Sequence, residues 1–197
     1  SRRMVGQVLL AGSEPAAAVA VVEQLAADSS LPGGVETRML LSQLAQQLRQ
    51  PELALKLAKA AVATDPASAP ALLWQGHVAL RSGDREGARA AFEHAVSLAP
   101  DDKATRLTYA ALLNELGESA AAASTLSEVA ADDEVLAARA AYAARSADKS
   151  LLQRVARELE SLPGPRPAAR IELLGQLAEL AEDPREALRW YREVPRG

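Results

Sequence analysis

The sequence predicts an all-α protein, a solenoid of about six stacked antiparallel helix hairpins, and three observations carry that prediction. The 197 residues are rich in Ala and Leu but hold one Phe, two Trp and three Tyr, a composition that favours helices over a sheet of β-branched and aromatic residues. Like residues recur at a fixed step of 34, as in Pro66 and Pro100 or Gly83 and Gly117. Turn residues such as Ser82-Gly83-Asp84 stand between amphipathic segments at the same step. A period in this range marks a supersecondary unit that buries its apolar face by stacking on its neighbours.

Several columns agree on the register: Ala54, Ala88 and Ala122; Ala58, Phe92 and Leu126; Ala61, Ala95 and Val129. They divide the chain into approximate repeats at 2–34, 35–68, 69–102, 103–134, 135–166 and 167–197. The repeat at 69–102 is the clearest. Its first helix, about Pro70 to Arg81, presents Leu73, Gly76 and Leu80, and its second, about Arg85 to Leu98, presents Ala88, Ala91, Phe92, Ala95 and Val96. Gly83 suits a C-terminal cap, Asp84 an N-cap with Glu86 in the first turn, and Pro100 a stop.

The repeat at 35–68 keeps Leu41, Ser42, Ala45, Ala54, Ala58, Ala61 and Pro66, with Gln50-Pro51 in place of the Gly-Asp turn. The repeat at 103–134 keeps Tyr109, Ala110, Leu113, Gly117, Ala122, Leu126 and Val129. Gly6, Leu9, Ala18, Val22 and Leu25 trace a first repeat, followed by a loose loop from Ser29 to Gly34. The fifth repeat is contracted around Ser146-Ala147-Asp148, and the sixth recovers Ile171, Leu174, Gly175, Ala178, Ala187 and Tyr191. The start at Ser1-Arg2-Arg3-Met4 and the abrupt end at Pro195-Arg196-Gly197 suggest a fragment of a longer protein, with any signal or lipid anchor outside it.

Gly76, Ala88, Phe92, Ala95 and Pro100 together resemble the signature of tetratricopeptide repeats, with Leu72 where that family has a large aromatic and Trp74 two residues on. The resemblance implies a right-handed superhelix that binds proteins along its inner face. The Ala-rich, uneven repeats and the ending from Asp183 to Val194 are also similar to repeat arrays in envelope lipoproteins of GC-rich proteobacteria, some of them adaptors for periplasmic proteases. A bacterial cytoplasmic and a periplasmic location both remain open.

A formal charge of −4 and a pI near 5.3 speak against a nucleic-acid platform, which needs a basic face. Without Cys there is no disulfide and no thiolate ligand or nucleophile. The apolar stretch Ala16 to Val22 is too short to span a membrane. His77 and His94 lack the spacing of a metal site, Asp132-Asp133 and Glu182-Asp183 read as turn caps, and Pro32-Gly33-Gly34 lacks the Lys that follows in a phosphate loop. An enzyme, a bound metal and a cofactor are therefore not expected.

The resemblance places a partner-binding wall on the first helix of each hairpin. In the central repeats that wall is Met39, Gln43 and Gln46; Leu73, His77 and Arg81; and Leu107, Ala111 and Asn114. Members that grip a peptide's C-terminal carboxylate use a clamp of Lys, Asn and Arg. Here the fifth positions are Met39, Leu73 and Leu107, so that clamp is absent, and the mixed apolar and amide wall suits a protein segment with spaced apolar anchors. Trp74 has two readings, a binding hot spot or packing against the neighbouring helix. A homodimer through the C-terminal end is a further expectation, because Leu188, Trp190, Tyr191 and Val194 would otherwise leave apolar area in water. The leading expectation is an interaction scaffold or adaptor; the alternative is an accessory regulatory or assembly domain of a larger enzyme or complex.

Overall fold

In a computed structural model of the chain, residues 15–27 and 34–195 are described. Gly6, Leu9 and the loop from Ser29 to Gly33 lie outside the described residues, so the first repeat is represented by its second helix. Among the described residues there are helices and no strands: α1 Pro15–Ala27, α2 Val35–Gln47, α3 Pro51–Thr64, α4 Ala69–Arg81, α5 Arg85–Leu98, α6 Lys103–Glu115, α7 Ser119–Thr125, α8 Asp133–Ser146, α9 Lys149–Ser161, α10 Ala168–Leu180 and α11 Pro184–Glu193. The all-α hairpin architecture expected from the 34-residue register is thus present. The chain divides into two compact units, residues 1–99 and 100–197.

In the first unit α2 pairs with α3 and α4 with α5, while α3 packs on α4. The reason these helices can lie close is read at their contact column. A Cβ built on Gly76 would come within 2.3 Å of the Phe92 ring, so only glycine lets the fully buried Phe92 cross from α5 onto α4. One repeat earlier the pair is Ser42 and Ala58, both wholly buried, and Ser42 Oγ donates to the Ala54 carbonyl at 2.7 Å. Val22 of α1 joins Leu41, Ala45, Ala54, Leu57, Ala58 and Val78 in one apolar cluster.

In the second unit the same contact recurs at Gly175, where a Cβ would meet the Tyr191 ring at 2.4 Å. The hairpin at 103–134 departs from a regular second helix: α7 ends at Thr125 and a single 3₁₀ turn, Leu126–Glu128, follows. Arg106 stands in the column of Leu72 and is 6% exposed. Its guanidinium donates to the Pro100 carbonyl at 2.7 Å and to the Thr125 carbonyl and hydroxyl at 3.3 and 3.2 Å, and pairs with Glu128 at 2.7 Å. The Thr125 carbonyl, orphaned where the α-helix stops, thereby gains a donor.

The C-terminal end corrects one expectation. Trp190 does not stand in water; it is 2% exposed and lies in the core with Leu174, Leu177, Ala178 and Ala187. Ala187, Trp190 and Val194 recur at three and four residues on one face of α11, whereas Leu188 and Tyr191 fall on the next. The Arg189 and Arg166 guanidinium carbons sit 4.5 and 5.4 Å from the indole centroid. Leu188 at 51% and Leu180 at 49% remain exposed.

The turn between the two helices of each described hairpin places one residue in the left-handed region: Arg49 (φ 58°), Gly83 (83°), Gly117 (86°), Ala147 (54°) and Glu182 (59°). This conformation costs an L-residue about 1–2 kcal/mol. Gly83→Ala is therefore expected to destabilise the protein by about 1 kcal/mol, while Arg49→Gly and Glu182→Gly leave stability unchanged or raise it by up to ~1 kcal/mol. Urea titrations of the variants check both signs.

Candidate partner-binding surface

The expected wall begins with residues that the core does not consume. On α2, Leu41, Ser42 and Ala45 are buried, while Met39 and Gln46 are half-buried and Gln43 is exposed. On α4, Ala71, Leu72, Gly76, Val78 and Ala79 are buried, while Leu73 is half-buried and His77 and Arg81 are exposed. Met39, Gln43 and Gln46 share one face of α2 at helical spacing, and Leu73, His77 and Arg81 share one face of α4. The His77 ring lies edge-on to Phe92, with centroids 5.2 Å apart and planes at 84°.

Trp74 ties this wall together from behind. It is half-buried against the apolar cluster of the first unit, and its indole N–H donates to Ser42 Oγ at 2.9 Å. Since Ser42 in turn donates to the Ala54 carbonyl, one hydrogen-bonded chain links α4, α2 and α3.

At the end of the wall the structure brings Gln46 and Arg81 together. They line a cleft of about 120 Å³ with Arg49, Pro51 and Ser82. Spacing along the repeat shows Gln46 and Arg81 but gives no reason to add Arg49, which replaces the glycine of the next two turns. In the second unit Leu107 is half-buried beside Tyr109 and Val129, Ala111 is exposed, and the Asn114 side-chain oxygen accepts a hydrogen bond from Ser119 at 3.0 Å.

Other concave places lie in the second unit. A cavity of about 280 Å³ is walled by Gln153, Arg157, Glu160, Asp183 and Glu186 over a floor of Leu174, Leu177 and Trp190. No short motif marks it in the sequence, because its residues come from three helices and a turn. An open cleft of about 540 Å³ lies at the terminal hairpin between Glu179, Glu182, Pro184, Ala187, Leu188 and Tyr191, and the Tyr191 hydroxyl donates to Glu179 at 2.9 Å.

The acidic turn residues do structural work. Asp84, Asp102, Asp132, Asp148 and Asp183 each accept a backbone N–H in the first turn of the following helix. The Val135 N–H holds the Asp132 carboxyl below its ordinary pKa, helped by Lys103, and Glu134 and Asp132 together push Lys103 up to about 12. Among the described residues no group of three His, Asp or Glu could hold a metal, and no helix is long and apolar enough to cross a membrane.

Stacked helix hairpins with a small-residue contact column and a left-handed turn define an α-helical repeat protein. The model of the family described as Tetratricopeptide repeat matches residues 79–147. The chain is similar in fold to MamA (residues 41 to the end) from Desulfovibrio magneticus RS-1, at 17% identity and a TM-score of 0.52, over 81% of this chain and 92% of that one. YrrB, a TPR protein with an unusual peptide-binding site, matches at 19% identity and 0.55, over 81% and 84%. PilF of Pseudomonas aeruginosa matches at 16% identity and 0.53, over 97% and 90%. The comparison with curated proteins gives no match.

Proposed function

We propose that this protein is an interaction scaffold or adaptor that holds a segment of a partner protein against the wall formed by α2 and α4. The observation that carries the reading is the surplus of side chains on that wall. With the core beneath already filled, Met39 and Leu73 remain half-exposed among Gln43, Gln46, His77 and Arg81. Apolar anchors spaced between amides suit an extended or helical segment, whose backbone and side chains the amides can satisfy. The peptide-binding site of YrrB, which shares the fold, supports the reading. Trp74 acts from behind, holding α2 and α4 in register, and the role is non-catalytic.

Peptides selected from a random display library on the intact chain test this. Leu73→Asp with Gln43→Arg is expected to weaken the selected peptides at least about tenfold, the scale of losing an interface anchor, with the melting temperature retained. Lys56→Ala and Lys59→Ala, on exposed positions of α3, should bind as wild type. Equal binding by the wall variant would sink the proposal.

A second reading, self-association through the C-terminal end, is favoured by exposed Leu180, Leu188 and Tyr191 around the 540 Å³ cleft. It predicts a dimer mass by light scattering that Leu188→Asp converts to monomer; a monomer at high concentration contradicts it. Trp190, being buried within the chain, takes no part.

A further inference from the structure

We infer that the outer face of the terminal hairpin pairs with a second copy of itself in one orientation, α11 of each copy lying against α10 of the other. The inference rests on the self-association reading and adds the chemistry that orients the two copies.

Three stripes make up this face. On α11, exposed Pro184, Leu188 and Tyr191 recur at steps of four and three and form an apolar strip. Beside it on the same helix stand Arg185 and Arg192, both exposed and two turns apart. On α10, exposed Glu172, Gln176 and Glu179 repeat the step of four and three. The Tyr191 hydroxyl donates to Glu179 at 2.9 Å, and partial burial, then Glu179 and Glu172, raise the pKa of the phenol, so both carboxylates border the strip. The face therefore runs from an acidic edge on α10, across apolar side chains, to a basic edge on α11. Arg189 does not join that edge: it is drawn to the side of α9 by Glu160 and also pairs with Glu186. Glu182, at the turn, is taken by Lys149.

Such a pattern is complementary to itself. A twofold contact presents the same patch from both copies, and the patch admits two orientations. With the axis along the helices, each acidic edge lies over the partner's basic edge. The Tyr191 ring packs against Gly175, and α10 and α11 run antiparallel, so Arg192 stands level with the Glu172 end of α10 and Arg185 with the Glu179 end. Arg192 then meets the partner's Glu172, Arg185 meets the partner's Glu179, and Leu188 and Tyr191 cover the partner's apolar strip, the way flanking charges set orientation across packed helices. With the axis across the helices, glutamates meet glutamates and arginines meet arginines, which is disfavoured. The charges thus select one arrangement and reject the other. A second copy fits better than a helix of one charge sign, which would leave one edge facing like charge.

With α11 only 10 residues long, the contact is small and belongs with weak, reversible associations. Sedimentation equilibrium on the intact chain, in a concentration series up to about 1 mM, tests it at low and high salt. The proteins compared are wild type, Leu188→Asp, Glu172→Lys, Arg192→Glu and the double variant Glu172→Lys/Arg192→Glu. All three positions are exposed, so melting temperatures close to wild type separate lost association from lost folding.

The expected result is a reversible dimer that Leu188→Asp abolishes and high salt weakens. Glu172→Lys and Arg192→Glu should each weaken it about tenfold, because each turns two attractive contacts per dimer into repulsive ones. The double variant should regain the wild-type affinity, since its exchanged edges still match. A dimer lost on Leu188→Asp but indifferent to both charge reversals, or strengthened by salt, would overturn the orientation and leave self-association standing. A dimer that survives Leu188→Asp lies on another surface and overturns the inference. If the chain stays monomeric throughout the series, the orientation and the self-association reading fall together, and the face is left to a different protein.

Discussion

Trp190→Ala is expected to lower the unfolding free energy by about 3–5 kcal/mol, the cost of removing a large buried aromatic side chain from a packed core. The indole is 2% exposed, sits among Leu174, Leu177, Ala178 and Ala187, and carries Arg189 over its ring. Its removal opens the contact between α10 and α11, and repeat proteins respond to such a loss unit by unit. Amide exchange should therefore accelerate first in α10 and α11, ahead of α8 and α9. Equilibrium unfolding with hydrogen exchange measures both effects. A change below about 1 kcal/mol would mean that Trp190 stands in water, as the apolar sequence of the C-terminal end suggests.

The second large effect belongs to the Gly76–Phe92 contact. Phe92 is wholly buried, and Phe92→Ala is expected to cost about 3–5 kcal/mol through lost burial and the cavity left behind. Gly76→Ala should cost about 1–3 kcal/mol for the opposite reason, because the new methyl would lie 2.3 Å from the ring and force α4 and α5 apart. Combining them removes the clash along with the ring. The double variant should thus be more stable than the sum of the single costs predicts, by at least about 1 kcal/mol. Strict additivity in denaturant titrations would show that the two positions do not touch.

The 34-residue register made much of the fold legible, because cap chemistry and core periodicity agree at each turn. Gly83 and Asp84, read as a C-terminal cap and an N-cap, take a left-handed φ and an N-capping hydrogen bond, and α4 and α5 run over Ala69–Arg81 and Arg85–Leu98 as the spacing indicates. Where the register misled, a single side chain had changed the local balance. Arg106, in a leucine column, donates to the Thr125 carbonyl where α7 stops early, although Ala122 and Leu126 keep their buried places. In the sequence Trp190 groups with the exposed end because its neighbours Leu188 and Tyr191 are apolar too; only its phase relative to Ala187 distinguishes the face it takes.

The candidate site was less legible than the fold. The family resemblance assigns Met39, Gln43, Leu73 and His77 to the wall, and the structure leaves Met39 and Leu73 half-buried and Gln43 and His77 exposed. The bond from Trp74 to Ser42 joins residues 32 apart in sequence, and no helical period reports a contact between hairpins. Arg49 is hidden for a related reason. It stands at the turn position that carries Gly83 and Gly117 in the next two repeats, so the register treats it as a departure in turn chemistry, whereas in the fold it lines one cleft with Gln46 and Arg81.

The wall itself is tested most directly by NMR chemical-shift mapping of the isotope-labelled chain, titrated with a display-selected peptide. Saturable shifts are expected at Met39, Gln43, Gln46, Leu73, His77 and Arg81, with Lys56 and Lys59 on α3 unmoved. Shifts concentrated on α3 and α5, or at Leu188 and Tyr191, with α2 and α4 unchanged, would contradict the assignment of the binding surface.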